Sequence, residues 1–187
     1  YKGQAGGINL AKLAVSRVTG LSVDRAVLVD FEGFKKGINM LGGINVNVEK
    51  AFDDYEYPID GMENDSCGKS QQELDRFKYI ASSPAQIFPC RYEHLSFKKG
   101  LQRFDGAMTL KYVRSRHSKE DGTDFGRSAR QRAVLMAIKN KAESPSVIPQ
   151  IIPLLTTMSE YIKTDISLAE MQTLVLYKDE LKIKFYT

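Results

Sequence analysis

Apolar residues recur with helical and strand periods along the first part of the chain. Residues 8 to 18 carry apolar side chains at helical spacing before Gly20, which predicts a helix that ends at this glycine. Residues 26 to 29 form an apolar run typical of a buried strand, and a second helix is predicted to follow as far as Leu41. Residues 44 to 48 alternate apolar and polar side chains, as a strand with one buried face does. This order predicts a layered α/β or α+β fold.

Periodic apolar positions are missing from residues 50 to 95, where prolines and glycines are scattered. Such a segment is long for a simple connection, so we expect a surface insertion. Its stretch GMENDSCGKS ends like a phosphate-binding loop, but the gap between Gly61 and Gly68 is longer than that motif allows. No apolar strand precedes it either, so the sequence argues against a phosphate loop here.

The remainder of the chain predicts further helices and a terminal strand. The predicted helices cover residues 125 to about 141 with Asp124 as N-cap, residues 154 to 162, and residues 168 to about 177 with Ser167 as N-cap. Residues 181 to 186 alternate in polarity and predict a half-buried strand. We expect residues 145 to 187 to supply these C-terminal helices and the final strand of a single domain spanning residues 1 to 187.

Five arginines are concentrated in one stretch: Arg114, Arg116, Arg127, Arg130 and Arg132. The net charge of the chain is only +4, so this local density is what suits an anionic ligand. If residues 112 to 116 are extended, the side chains of Arg114 and Arg116 point the same way. In a helix they would lie roughly 200° apart around the axis and would not share a ligand easily. The sequence leaves both conformations open.

The helix predicted after Asp124 places polar side chains in line with apolar ones. This face consists of Arg127, Gln131, Val134 and Ile138. Its first two members should lie at the edge of the core, where a guanidinium needs an anionic partner or an open cavity. Because the first turn of a helix also attracts anions, we predict an anion site at this helix start. The alternative is a solvated network in which the arginines pair with Glu120, Asp121 and Asp124.

Histidines and cysteines are the other candidates for chemistry. His117, beside Arg116, is either a neutral general base or an exposed loop residue. Cys67 and Cys90 are either joined by a disulfide, if the compartment is oxidising, or two unpaired small hydrophobic residues. His94 is the only other histidine, so the sequence shows no zinc ligand set and no Ser-His-Asp pattern.

Three segments of the chain form an ordered set of motifs: VLVDFEGFKKGINMLGGINVNVEK at residues 27 to 50, LQRFDGAMTLKYVRSRHS at residues 101 to 118, and DFGRSARQR at residues 124 to 132. Together they resemble the LytR-CpsA-Psr family of bacterial cell-wall enzymes. The resemblance implies a three-layer α/β/α sandwich with a central mixed sheet. It also implies a phosphotransferase that moves a glycan 1-phosphate from a polyprenyl pyrophosphate carrier to a hydroxyl of peptidoglycan, at the extracytoplasmic face of the membrane.

The same resemblance assigns roles to residues. Arg114 and Arg116 would be catalytic together with Asp124. Substrate would be bound by Arg127, Gln131 and Arg130. Asp124 would also be a ligand of Mg²⁺ or another divalent cation, which would bridge pyrophosphate oxygens. An extracytoplasmic location would favour a disulfide between Cys67 and Cys90.

The family's upstream part has no counterpart in the sequence. Members carry further arginines, metal-binding aspartates and a membrane anchor before the region that matches. The chain begins at Tyr1 without Met, and no apolar run or signal pattern in it could enter a membrane. We therefore expect the C-terminal two thirds of the family's domain, from a parent protein that is anchored in the membrane.

Two other functions remain open from the sequence. One is a non-catalytic domain that binds a lipid pyrophosphate or the cell wall. The other is a nucleic-acid-binding regulator, which the small net charge and the lack of a recognition-helix or aromatic stacking motif argue against. We therefore expect no nucleic-acid partner.

Overall fold

The computed structural model describes residues 4–77, 79–147, 149 and 151–177. The elements in chain order are α1 (Gln4–Thr19), β1 (Val27–Val29), α2 (Phe31–Met40), β2 (Ile44–Val48), β3 (Phe52–Pro58), α3 (Gln71–Phe77), α4 (Pro84–Ile87), a 3₁₀ helix (Pro89–Arg91), β4 (Tyr92–Phe97), β5 (Gly100–Phe104), α5 (Gly106–Arg114), α6 (Asp124–Ala142), α7 (Ile151–Thr157), β6 (Ile162–Thr164) and α8 (Leu168–Leu176). The chain forms two compact units, residues 1–42 with 140–187, and residues 43–139. The predicted mixture of helices and strands is confirmed. None of the described helices is both long and apolar enough to cross a bilayer.

The described strands pair as two-stranded antiparallel sheets. β1 pairs with β6, β2 with β5, and β3 with β4. The α+β class that the resemblance implies is confirmed, with antiparallel ladders among the described strands. The side chains of β2 alternate strictly between buried and exposed. Such alternation is typical of antiparallel strands with one solvated face, whereas parallel strands are buried on both faces.

The unit of residues 43–139 has an aromatic core between β3, β4, β5 and α5. Its members are Phe52, Phe97, Phe104 and Tyr112, each at most 3% exposed. Their ring centroids lie 5.0 to 5.9 Å apart in tilted or edge-on pairs. Each such pair contributes about 0.5–1.5 kcal/mol beyond the burial of its surface. The cluster holds α5 against the strands and so fixes the point where this helix ends.

The predicted strand over residues 44–48 forms as β2 and completes this core. Ile44, Val46 and Val48 are its buried members, at 1% exposure or less. Gly43, just before the strand, has a positive φ of 81°, and a Cβ there would lie 2.8 Å from the carbonyl oxygen of Phe104. The glycine that ends the preceding helical pattern is therefore also required by the ladder between β2 and β5.

In the other unit, α2 packs closely on the segment that follows α7. Asp30 caps α2 by accepting a hydrogen bond from the Gly33 amide at 2.6 Å. A side chain at Gly33 would collide with Tyr161, and a Cβ at Gly37 would lie 3.0 Å from the sulfur of Met158. The strand predicted near residues 26–29 forms as β1, but its side chains are 38 to 57% exposed instead of buried. Among the described residues, β1 pairs only with β6.

The C-terminal elements match the predictions in part. α8 begins with the predicted cap, since Ser167 and Glu170 exchange side-chain to backbone hydrogen bonds. The helix predicted over residues 154–162 is wrong in its bounds, because α7 is Ile151–Thr157 and Ile162 already belongs to β6. Pro153 falls in the first turn of α7, where its missing N–H is not needed. The predicted strand over residues 181–186 lies outside the described residues.

The irregular segment predicted over residues 50–95 is narrower in the structure. β3 and β4 occupy its two ends, and Phe52, Tyr57 and Leu95 are buried. Between the two strands, residues 59–77 and 79–91 form a loop with short helices. Cys67 and Cys90 are joined by a disulfide within this loop, with their Cα atoms 5.6 Å apart.

Candidate anion-binding site

Arg114 and Arg116 flank the residue at which α5 ends. The helix is capped at its start by Asp105, whose carboxylate accepts a hydrogen bond from the Met108 amide at 2.7 Å. Arg114 is the last helical residue, and Ser115 takes φ and ψ of −51° and 136°, which are extended. The segment is therefore helical up to Arg114 and extended after it. Neither of the two conformations left open by the sequence applies to both arginines.

Ser115 is fully buried between the two arginines and is bound from two sides. Its hydroxyl donates to Asp54 Oδ2 at 2.6 Å, and its carbonyl oxygen accepts from Arg130 Nη2 at 2.6 Å. The same oxygen of Asp54 accepts from the backbone N–H groups of Arg116 and His117 at 3.1 and 3.2 Å. These bonds fix the main chain that carries Arg116, while the Arg116 side chain remains 61% exposed.

Asp54 is a buried carboxylate on β3 that stays ionised. Burial raises the pKa of Asp54, but hydrogen bonds from the Ser115 hydroxyl and from the backbone N–H groups of Glu56, His117 and Arg116 outweigh this effect and lower the pKa. Sequence reasoning missed this residue. The signal was available, because the strand period of two puts Asp54 on the same inward face as Phe52.

Arg116 and Arg127 converge on one carboxylate oxygen. Asp124 Oδ1 lies 3.0 Å from Arg127 Nη2 and 3.8 Å from Arg116 Nη2. The Asp124 side chain is 81% exposed, so this meeting point is open to solvent. One guanidinium comes from the loop after α5 and the other from the first turn of α6. Planar guanidinium groups bind phosphate oxygens in the same way as carboxylate oxygens, so the arrangement can hold a phosphate group.

Thr123, rather than Asp124, is the cap of α6. The Thr123 hydroxyl accepts a hydrogen bond from the Gly126 amide at 3.1 Å, and its carbonyl oxygen accepts from the Arg127 amide at 2.9 Å. Asp124 is the first residue of the helix, where a negative charge is still favourable. Because Thr123 caps the helix, the Asp124 carboxylate is left to pair with the two arginines.

Arg114 has a different acidic neighbour. Its Nη1 lies 3.7 Å from Asp60 Oδ1, and the two side chains are 34% and 76% exposed. Asp60 follows β3 at the start of the loop of residues 59–91, ahead of the part that the Cys67–Cys90 disulfide closes. The structure therefore connects one predicted catalytic arginine to a loop that sequence reasoning treated only as an insertion.

Arg130 was predicted to bind substrate, but its donors are directed at the protein. The side chain is 2% exposed. Nε donates to the carbonyl oxygen of Tyr112 at 3.0 Å, and Nη2 to that of Ser115 at 2.6 Å. Nη1 donates to the carbonyl oxygen and to Oδ2 of Asp121 at 2.6 and 2.5 Å. All three nitrogens are engaged, so Arg130 has a structural role and the substrate-binding assignment is corrected.

The buried stripe of α6 runs beside the predicted one. It consists of Gly126, Arg130, Val134 and Ala137. Gln131 is exposed, and Arg127 is only half-buried. The prediction extended the apolar face from Val134 towards the start of the helix. A hydrophobicity pattern counts apolar residues only, so it cannot reveal a buried arginine. Arg130 lies one helical turn before Val134 and is the arginine that is buried in the core.

The remaining predicted site residues lie at the surface. The side chain of His117 is exposed, and only its backbone amide is held, by Asp54. Gln131 follows Arg127 by one turn of α6, on the exposed side of the helix. A role for either side chain in binding a ligand stays a prediction.

Asp124 can serve as a single metal ligand. Within the described part of the chain, the group of three candidate ligand residues is Asp65, Cys67 and Cys90, whose cysteines are oxidised. Mg²⁺ in phosphate sites commonly uses one or two carboxylates and takes its other ligands from water and phosphate oxygens. The exposed carboxylate of Asp124 fits that role, in competition with Arg116 and Arg127.

Comparison with known proteins shows which family the chain resembles. The model of the LytR_cpsA_psr family matches residues 2–185. The chain is 31% identical over 150 residues to the polyisoprenyl-teichoic acid–peptidoglycan teichoic acid transferase TagV of Bacillus subtilis (strain 168), covering 80% of the chain and 30% of the relative. It is 27% identical over 170 residues to the corresponding transferase TagU of Oceanobacillus iheyensis, covering 91% of the chain and 41% of the relative.

A solved structure shows the same fold. The crystal structure of B. subtilis TagV superposes with a TM-score of 0.54 at 28% identity, over 87% of the chain and 48% of that protein. The chain thus spans less than half the length of these relatives. With a family model that covers nearly all of its residues, the chain belongs to the LytR-CpsA-Psr family.

Proposed function

We propose that the chain is part of a transferase that moves a glycan 1-phosphate from a polyprenyl pyrophosphate carrier to a hydroxyl of peptidoglycan. In this step the acceptor oxygen forms a bond to the phosphorus next to the glycan. The bond from that phosphorus to the bridging oxygen breaks, polyprenyl phosphate leaves, and the hydroxyl proton passes to solvent. The printed names of the relatives, polyisoprenyl-teichoic acid–peptidoglycan transferases, support this substrate class.

The observation that carries the proposal is the oxygen shared by Arg116 and Arg127. A carboxylate oxygen of Asp124 already occupies a position between two guanidinium groups. A non-bridging pyrophosphate oxygen resembles a carboxylate oxygen in charge, and the whole pyrophosphate group carries two negative charges where the carboxylate carries one, so it can engage both guanidinium groups. In the transition state, charge grows on the leaving phosphate, and fixed guanidinium groups at this point stabilise it.

Magnesium is part of the proposal. When bound, Mg²⁺ would neutralise charge on the pyrophosphate oxygens. Asp124 would supply one carboxylate ligand, and the substrate and water would supply the others.

The disulfide supports the proposed location outside the cytoplasm. Cys67 and Cys90 are joined in the structure, and disulfides persist mainly in oxidising compartments. We therefore propose that the chain acts on the extracytoplasmic side of the bacterial membrane, where peptidoglycan is accessible, and that its parent is membrane-anchored.

Binding of farnesyl pyrophosphate to the full chain, measured by calorimetry with and without Mg²⁺, tests the proposal. We expect Arg116→Ala and Arg127→Ala each to weaken binding about tenfold or more, because each removes a charge-assisted contact to phosphate. Arg132→Ala is the matched control, since Arg132 is an exposed arginine on the same helix as Arg127. Equal losses in all three variants, or no binding by the folded native chain, would contradict the proposed site.

A further inference from the structure

Three donors converge on one oxygen beneath the two arginines at the end of α5. The Ser115 hydroxyl and the amides of Arg116 and His117 all point to Asp54 Oδ2, at 2.6 to 3.2 Å. Consecutive groups of one short segment are thus bound to a single point on a neighbouring strand. Hydrogen bonds to an ionised acceptor are about twice as strong as neutral ones.

The acceptor is itself rigidly placed. Asp54 is fully buried, and its other oxygen, Oδ1, accepts a hydrogen bond from the Glu56 amide at 3.0 Å. It lies on β3, whose ladder with β4 includes the pairing of Asp54 with Leu95. The position of this carboxylate is therefore fixed by the strand that carries it and by the hydrogen bond to its other oxygen.

The geometry points to Asp54 as a positioning residue for the anion site, one that fixes the direction in which Arg116 leaves the main chain. This inference rests on the proposed function, because it assigns Asp54 an effect on binding of the pyrophosphate. Asp54 bonds the backbone of Arg116 and leaves its guanidinium to meet Asp124 and Arg127. Its influence is transmitted through the main chain of residues 115–117.

Asp54 and Arg127 act on the site by separate routes. Arg127 projects from the first turn of α6, which is capped by Thr123, whereas Ser115, which is bonded to Asp54, meets α6 further along the helix, at Arg130. Loss of the Asp54 carboxylate should therefore misdirect Arg116 and leave Arg127 in place. A general loss of structure would affect both arginines alike, so the two possibilities can be separated.

The test uses farnesyl pyrophosphate and the full chain, with Asp54→Asn and Ser115→Ala as variants. We expect Asp54→Asn to weaken binding about tenfold and Ser115→Ala about threefold, because the first weakens three hydrogen bonds and the second removes one. Asp53→Asn is the matched control, because Asp53 lies on the outward face of β3 and pairs with His94 at 2.8 Å. This control should bind as the native chain does.

A double-mutant cycle distinguishes positioning from destabilisation. In an Arg116→Ala background, Asp54→Asn should cause little further loss of affinity. In an Arg127→Ala background, it should keep its full effect, because independent contributions add. Equal additivity in both backgrounds would overturn the inference. If Asp54→Asn does not fold, Ser115→Ala is put through the same cycle.

Amide hydrogen exchange supplies a readout that does not depend on ligand. In Ser115→Ala and Asp54→Asn, the amides of Arg116 and His117 should exchange faster, while the Arg127 amide, bonded to the Thr123 carbonyl oxygen, should not change. Unchanged exchange at Arg116 and His117 would overturn the positioning role even if pyrophosphate binds. Faster exchange without any pyrophosphate binding would instead count against the proposed function.

Discussion

Arg127 and Arg130 lie three positions apart on one helix, and their guanidinium groups lie in opposite environments. Arg127 is partly exposed and meets a carboxylate oxygen that is open to solvent. Arg130 is buried and donates to Asp121 and to two backbone carbonyl groups. A buried guanidinium is tolerated only when its donors are satisfied, so Arg130 joins the end of α5 to α6. The motif therefore contains one arginine that the fold buries and one that stays accessible for the proposed ligand.

Arg130→Lys tests this division. A lysine ammonium cannot reach the four acceptors that are arranged around the planar guanidinium, and Asp121 would lose its partner. We expect the free energy of unfolding to fall by about 3 kcal/mol, as for other broken buried ion pairs. Urea denaturation measures this change. Arg132→Lys, at an exposed position of the same helix, should stay within about 0.5 kcal/mol of the native chain. Equal stability of both variants would contradict the structural role of Arg130.

The ionised state of Asp54 predicts a dependence of stability on pH. Its folded pKa is lowered below the ordinary aspartate value of about 3.9, because hydrogen bonds outweigh burial. Asp54 therefore stabilises the folded chain above that ordinary value, and the contribution is lost as pH falls through the lowered pKa. Below about pH 4, the native chain should lose stability more steeply than Asp54→Asn. Parallel curves from pH 7 to pH 2 would show that the fold does not lower the pKa of Asp54.

Among the elements, the loop of residues 59–91 depends most on a covalent constraint. The disulfide between Cys67 and Cys90 closes a loop with a sequence separation of 23, and Asp60 precedes it beside Arg114. Cys67 also has a positive φ of 54°, which is uncommon for a residue with a side chain. The loop therefore relies on the cross-link more than on packing, since its helix α3 has no buried residue.

Reduction of the disulfide should lower the free energy of unfolding by about 3 kcal/mol, because the unfolded chain gains the freedom of the opened loop. Guanidinium denaturation with and without dithiothreitol measures the difference. The double variant Cys67→Ser with Cys90→Ser should match the reduced native chain and should not respond to dithiothreitol. A native chain equally stable in both redox states would show that the loop is held by other contacts.

Elements with local signals could be predicted from the sequence, and those defined by distant partners could not. α2, β2 and α8 follow from periodicity and capping residues that are neighbours in sequence. The ladder between β3 and β4 was missed, because its bulge between Asp54 and Tyr57 breaks the alternation. The bonds of Asp54 to Ser115 cross 61 positions, a relation that no local pattern contains.

At the scale of the whole molecule, the resemblance predicted the family and the cluster of arginines, while the structure divided their roles. The motif placed Arg116, Arg127 and Asp124 together, and in the structure both guanidinium groups lie near the same oxygen of Asp124. It also grouped Arg114 and Arg130 with them. In the structure, Arg114 lies beside Asp60 and Arg130 is buried in the core. A motif shows which residues occur together in sequence, but burial determines which of their side chains can contact a ligand.

The position of Asp124 has a consequence for selectivity. It is tethered between Arg116 and Arg127, so an incoming anion must displace a carboxylate that is already in place. An acidic peptide or sugar offers the same single charge and gains nothing by the exchange. A pyrophosphate has more charge and more oxygens and can engage both guanidinium groups at once. Under the proposed function, the first residue of α6 would therefore compete with the ligand and would favour densely charged anions over single carboxylates.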